Sequence, residues 1–248
     1  MTATFSEGTA PPRIAVIDLA RGIAVYFMAL YHLAWDLNDF QFTDFALFSD
    51  PFWLGARTAI LASFLFLAGL SMVLAAGRGR GWSAFWRRWT AIVLGAGLVS
   101  LGTYFIFPQA YVFFGVLHCI AVASLLVLPF LTLSFWYALA AGIAVWTLPH
   151  LVGNRIFDHD WLQWIGFVTR MPESVDYVPI FPWAGVMLLG IAYGNWRAER
   201  PTGPVSEWQP VKGIGAMTAW VGRHTLVIYI LHQPLLVGLV WLAAQIVR

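Results

Sequence analysis

The chain has 248 residues, 60% of them hydrophobic and only 10% charged, with 14 Trp and 19 Phe. A soluble domain carries about 25% charged residues, so this composition excludes one and implies an integral membrane protein. A formal net charge of +2 without a long basic run argues against a nucleic-acid partner, and the single cysteine, Cys119, excludes an internal disulfide.

Residues 1–12 are polar, hold two prolines and read as a short disordered tail without a cleavable signal. A helix is expected from about Ile14 to Trp35. It is apolar enough to span a bilayer, yet the stretch leading to Asp36 carries Asp18, Arg21, His32 and Asp36 itself. On a helix turning about 100° per residue, Asp18, Arg21, Gly22, Val25, Ala29, His32 and Asp36 share one arc of roughly 100°. Tyr26, Phe27, Leu30 and Leu37 cover the rest of the surface. Intramembrane charge is costly unless it is paired or wetted, so the polar arc must look into a bundle or cavity.

Further spans are expected over 52–76, 89–107, 110–130, 134–152, 179–196 and 216–247, each near the roughly 20 residues that a bilayer core requires. The connections 77–88 and 197–215 together hold seven Lys/Arg, whereas 36–51 and 153–176 are acidic and hold only Arg155 and Arg170. The positive-inside rule then places the N-terminus in the cytoplasm and the C-terminus outside. The fold expected is an all-α polytopic bundle of about seven spans, with residues 13–248 as one transmembrane domain.

This topology assigns depth to the polar residues. His32 lies near the outer end of the first helix, His118 about 12 Å below the outer surface, and His232 in the outer half of the last helix. Tyr229 shares a face with His232, Gln233 neighbours it, and Pro234 leaves the carbonyl of Ile230 without its donor. Any one of these histidines could simply bond a neighbouring carbonyl or hydroxyl; three at one level, with Asp36 a turn from His32, point to a site. At the cytoplasmic end, Asp18 and Arg21 are spaced to pair. Arg87, Arg88 and Arg223 lie at similar depth. They fit either a solvated positive rim or an anion site, since guanidinium forks suit phosphate.

The motifs now become specific. Asp18-Leu-Ala-Arg-Gly-Ile-Ala, Met28 and His32-Leu-Ala-Trp-Asp36 open the series. Phe66-Leu-Ala-Gly-Leu-Ser71, Phe114-Gly-Val-Leu-His118 and Asp176-Tyr-Val-Pro-Ile-Phe-Pro-Trp183 follow, and Gly222-Arg-His-Thr-Leu-Val-Ile-Tyr-Ile-Leu-His-Gln-Pro234 closes it. In this order, and over nearly the whole chain, they resemble bacterial membrane proteins related to heparan-α-glucosaminide N-acetyltransferase, within the transmembrane acyltransferases. The resemblance implies acetyl transfer from cytoplasmic acetyl-CoA to a sugar or glycan acceptor on the far side, by N- or O-acetylation. It implies His32 as general base or transient acetyl carrier with Asp36 orienting it. His118 and His232 join the catalytic set, with Tyr229, Gln233 and Asp176 on the acceptor. Asp18, Arg21, Arg87, Arg88 and Arg223 form the acetyl-CoA site; no metal is expected.

Two other classes use the same residues: a permease or flippase for a glycan or lipid precursor, without covalent chemistry, and a haem-binding membrane protein with paired histidine ligands. The location expected is a bacterial inner membrane, multi-pass, with a homodimer left open.

Overall fold

A computed structural model describes residues 14–78, 81–200 and 212–247; the expected tail over residues 1–12 lies outside them. The described residues form eight α-helices: α1 Ala15–Asp39, α2 Pro51–Gly77, α3 Trp82–Ile106, α4 Val116–Leu126, α5 Phe135–Leu151, α6 Ile180–Ala198, α7 Ile214–Arg223 and α8 Thr225–Val247. Short 3-10 turns cover Leu128–Leu131, Arg155–Asp158 and Gln163–Ile165. It is an all-helical membrane bundle.

Among the described residues four helices, α1, α2, α3 and α8, are long and apolar enough to cross a bilayer. The expected span over 110–130 is not one helix. α4 has only 11 residues, about 16 Å, and irregular chain leads into it. Pro108 explains the boundary, because proline disfavours helical geometry at the residue before it: α3 ends at Ile106 and Phe107 is already non-helical. The last expected span is also broken, at His224, into α7 and α8. α2 begins as its sequence dictates: Asp50 caps it by accepting from the Phe52 amide at 2.7 Å, with Pro51 in the first turn, where a missing N–H costs nothing.

The irregular chain between α3 and α4 must find partners for its backbone, since such backbone at membrane depth survives only where protein satisfies it. Thr103 Oγ1 accepts from the Val112 amide at 3.0 Å, and Ser100 Oγ donates to the Val112 carbonyl at 2.6 Å. The chain before α6 completes the pairing: Val175 donates to Ala110 at 2.9 Å and Val178 to Phe114 at 3.0 Å. In the outer connection, Asp158 accepts from the Thr169 hydroxyl and amide, each at 2.6 Å; these bonds hold its carboxyl below the usual carboxylate range.

α6 is the central helix. It packs against α2, α4 and α5, and Met187 and Ile191 on it are fully buried beside Leu65, Cys119, Ala123 and Ala138. α1 packs against α2, α7 and α8. Two seams bring backbones together. A Cβ on Gly69 or Gly190 would overlap the carbonyl oxygen of Met187 or Phe66, and one on Gly222 or Gly22 would overlap that of Asp18 or Thr218. Small residues at such crossings let helices approach where lipid offers no hydrophobic driving force.

The lipid face of α1 is the expected one: Phe27 and Leu30 are exposed at 58% and 59%, while Asp18, Gly22, Val25 and Asp36 are buried.

Because the atom in the way at Gly222 is backbone, Gly222→Ala should cost at least about 1–3 kcal/mol, lowering the thermal midpoint by several degrees. Gly97→Ala on α3, where a Cβ meets nothing, should leave it in place. Thermal unfolding of the purified protein checks the pair.

Candidate active site

At the arginine-bearing end, α1, α2, α3, α4, α7 and α8 enclose a cavity of about 380 Å³. Its charged wall is Asp18, Arg21, Arg78, Arg88 and Arg223; Phe64, Leu67, Ile92, Leu117, Ile120 and Leu226 make it apolar further in, and Tyr229 borders it. Asp18 and Arg21 form an ion pair at 2.9 Å, and the other Arg21 terminal nitrogen donates to Ser71 Oγ, which in turn donates to the Leu67 carbonyl. Arg21 is thus a fixed part of the wall, while Arg88 and Arg223 are exposed at the rim. Arg87, one residue earlier on α3, is exposed and does not line the cavity. The helix phase that turns Arg88 toward the cavity turns its neighbour away.

The second cluster lies where α1 meets α8. The His32 and His232 rings are 5.0 Å apart, centroid to centroid. His232 Nδ1 lies 2.6 Å from the Tyr229 carbonyl oxygen. A carbonyl only accepts, so Nδ1 carries the proton and Nε2 presents a lone pair. Asp36 does not orient His32. Its Oδ1 accepts from Gln233 Nε2 at 2.7 Å, because Asp36 is brought opposite α8. A carboxylate needs a donor, so this bond also fixes which end of the Gln233 amide is oxygen. Among the described residues, Asp36 Oδ2, His232 Nε2 and Gln233 Oε1 are buried without a hydrogen-bond partner. Three orphaned polar atoms in one place require an explanation, since each costs the desolvation of its group.

His118 is not part of that cluster. Its Nδ1 accepts from the Gly115 amide at 3.2 Å, so Nε2 holds the proton and donates to Ser100 Oγ at 3.1 Å. Both nitrogens are used to hold the turn into α4. Asp176 serves the same turn: Oδ2 accepts from the Val116 amide at 3.0 Å, a favourable place for a carboxylate at a helix N-terminus. It also lies within electrostatic reach of Tyr229 and Arg57. Arg57, on the second turn of α2, acts electrostatically on His32 and Tyr31 as well. Sequence reading passed over it, as an arginine near a helix end looks like a rim residue; a cation facing an acidic connection was its only signal. Ser71 was visible only as the last residue of a motif.

Tyr229 joins the two clusters. Its side chain borders the cavity, and its carbonyl holds His232. A charged cavity wall, the apolar lining above it and an unpaired imidazole nitrogen follow one another from one end of α1 to the other. Residues 13–234 match the family described as heparan-alpha-glucosaminide N-acetyltransferase, catalytic. The chain belongs to that family. Neither a curated protein nor a solved structure matches it. As a family member with apolar spanning helices it is, in general terms, a membrane acetyltransferase, and acetyl-CoA is the acetyl donor in the family.

If His118 positions α4, His118→Ala should cost about 1–3 kcal/mol by stranding the Gly115 amide and Ser100. Thermal unfolding should register that loss, while turnover per folded molecule falls far less than in a His232 variant.

Proposed function

We propose that the protein moves an acetyl group from acetyl-CoA to a sugar or glycan acceptor at the opposite, outer end, in a bacterial cytoplasmic membrane with the arginine-bearing end in the cytosol. One observation carries the reading: the arginine-lined cavity is bordered by Tyr229, the residue whose carbonyl fixes the His232 tautomer. Arg78, Arg88 and Arg223 suit the phosphates of CoA, and the apolar lining of the cavity suits its long arm.

In the proposed reaction the acceptor hydroxyl or amine loses its proton to His232 Nε2 as it attacks the acetyl carbonyl carbon. His32 donates to the developing oxyanion. The carbon–sulfur bond then breaks, and the proton on His232 passes to the leaving thiolate, giving free CoA and the acetylated acceptor. The Tyr229 carbonyl stabilises the imidazolium, as the third member of a triad does. Asp18 holds Arg21 in place, and Gln233 with Asp36 receives the acceptor.

Purified protein with labelled acetyl-CoA and an amino-sugar acceptor should transfer label and release CoA. His232→Ala and His32→Ala should each lower kcat by about 10²–10⁴ with the fold intact. Arg223→Ala should raise the KM for acetyl-CoA by roughly ten- to hundredfold, the effect of one charge-assisted hydrogen bond of about 1.5–3 kcal/mol. Full turnover in both histidine variants would remove the pair from the chemistry.

A further inference from the structure

Arg57 has no part in the reaction proposed above, yet α2 turns it toward the same site. On a repeat of about 100° per residue it falls within about 40° of Phe64, Ala68, Ser71 and Ala75, all of which line the arginine-bearing cavity. Leu61, one turn from it, is buried in the core. Gly55 and Ala59, both exposed, lie about 160° away and mark the outer side of the helix. Arg57 therefore continues the inward face of α2 toward the end opposite Arg21. It is nevertheless exposed, so the bundle opens at that end, on the side of the site.

Ring contacts fix what lies beside it. Trp53, one turn earlier on α2, meets the Tyr31 ring at 5.8 Å, Tyr31 meets His32 at 6.2 Å, and His32 meets His232. Arg57 acts electrostatically on Tyr31, on His32 and on Asp176, groups from two separate stretches of chain. No side chain pairs with it: among the described residues Arg57 makes neither a hydrogen bond nor an ion pair. Asp50, the nearest acid in the sequence, is spent on the Phe52 amide, and Asp176 Oδ2 on the Val116 amide. A guanidinium fork left unpaired on an inward helix face suits the oxygens of a carboxylate or phosphate. A neutral sugar offers hydroxyls but no charge to answer it.

We infer that Arg57 is a specificity-determining residue of the acceptor site, holding a carboxylate or phosphate carried by the sugar that is acetylated. The inference rests on the proposed reaction for the acceptor's fate, but binding can be tested without any transfer. The full chain in phosphatidylcholine nanodiscs is titrated calorimetrically, without acetyl-CoA, with glucosamine, glucosamine-6-phosphate and glucosaminuronic acid. At least one anionic sugar should bind at least about tenfold more tightly than glucosamine, a difference of about 1.4 kcal/mol. Arg57→Gln should bring that ratio close to one. Arg57→Lys, which keeps the charge but not the fork, should retain part of it. In transfer assays the same loss should appear as a raised KM for the anionic sugar rather than a lowered kcat. Acetyl-CoA binding should be unchanged in Arg57→Gln, since Arg57 does not line the arginine-bearing cavity. Equal affinity for all three sugars, or a ratio that survives Arg57→Gln, would overturn the inference. So would a preference present in maltoside detergent but absent in the nanodiscs, which would give Arg57 to a phospholipid headgroup. Selective binding by a protein that transfers no label from acetyl-CoA would instead strike the proposed reaction and leave the anion site standing.

Discussion

The close crossing of α1 and α7 is the constraint on which the rest depends. Gly22 faces the Thr218 carbonyl and Gly222 faces that of Asp18, with no room for a side chain at either. In lipid, helices gain nothing from hiding apolar surface from one another, so backbone proximity and the dispersion it permits must hold them. This crossing sets Arg223 beside the Asp18–Arg21 pair and launches α8 from His224 along the polar side of α1. Without it, His232 has no reason to meet His32, nor Gln233 to meet Asp36.

A second constraint lies in the chain that is not helical. The segment before α6 donates to the carbonyls of the segment before α4, with Ser100, Thr103, His118 and Asp176 supplying what the backbone lacks. Polar side chains that a catalytic reading would claim are used here to build the scaffold. The difference between His118 and His232 is one of vacancy in bonding terms: one has both nitrogens engaged, the other keeps a lone pair.

The site therefore has two chemically opposite ends. Guanidinium groups crowd the first, and acceptor atoms without donors crowd the second, with apolar side chains and Tyr229 between. The second end is costly in isolation, since its acceptors are buried without donors. In the proposed reaction a substrate carrying phosphates meets the first end and one bearing donors the second.

The amino-acid sequence by itself determined that this is a helical membrane protein, which face of α1 is polar, and where the positive charges gather. Those properties are periodic or compositional and need no neighbour: Phe27 and Leu30 lie in lipid and Asp18 and Asp36 inside because a helix turns by a fixed angle. The span expected from residue 52 begins at Pro51, close to that position because Asp50 caps it from within a turn. Other features depended on residues far apart in the chain. Asp36 is bonded to Gln233, not His32; His118 answers to Ser100 and Gly115; Arg57 reaches His32 from another helix; and Arg88 lines the cavity while Arg87 does not. Only the tertiary structure decided these, because a hydrogen bond or a cavity wall is settled by which helices cross and at what depth, and nothing in local spacing encodes that.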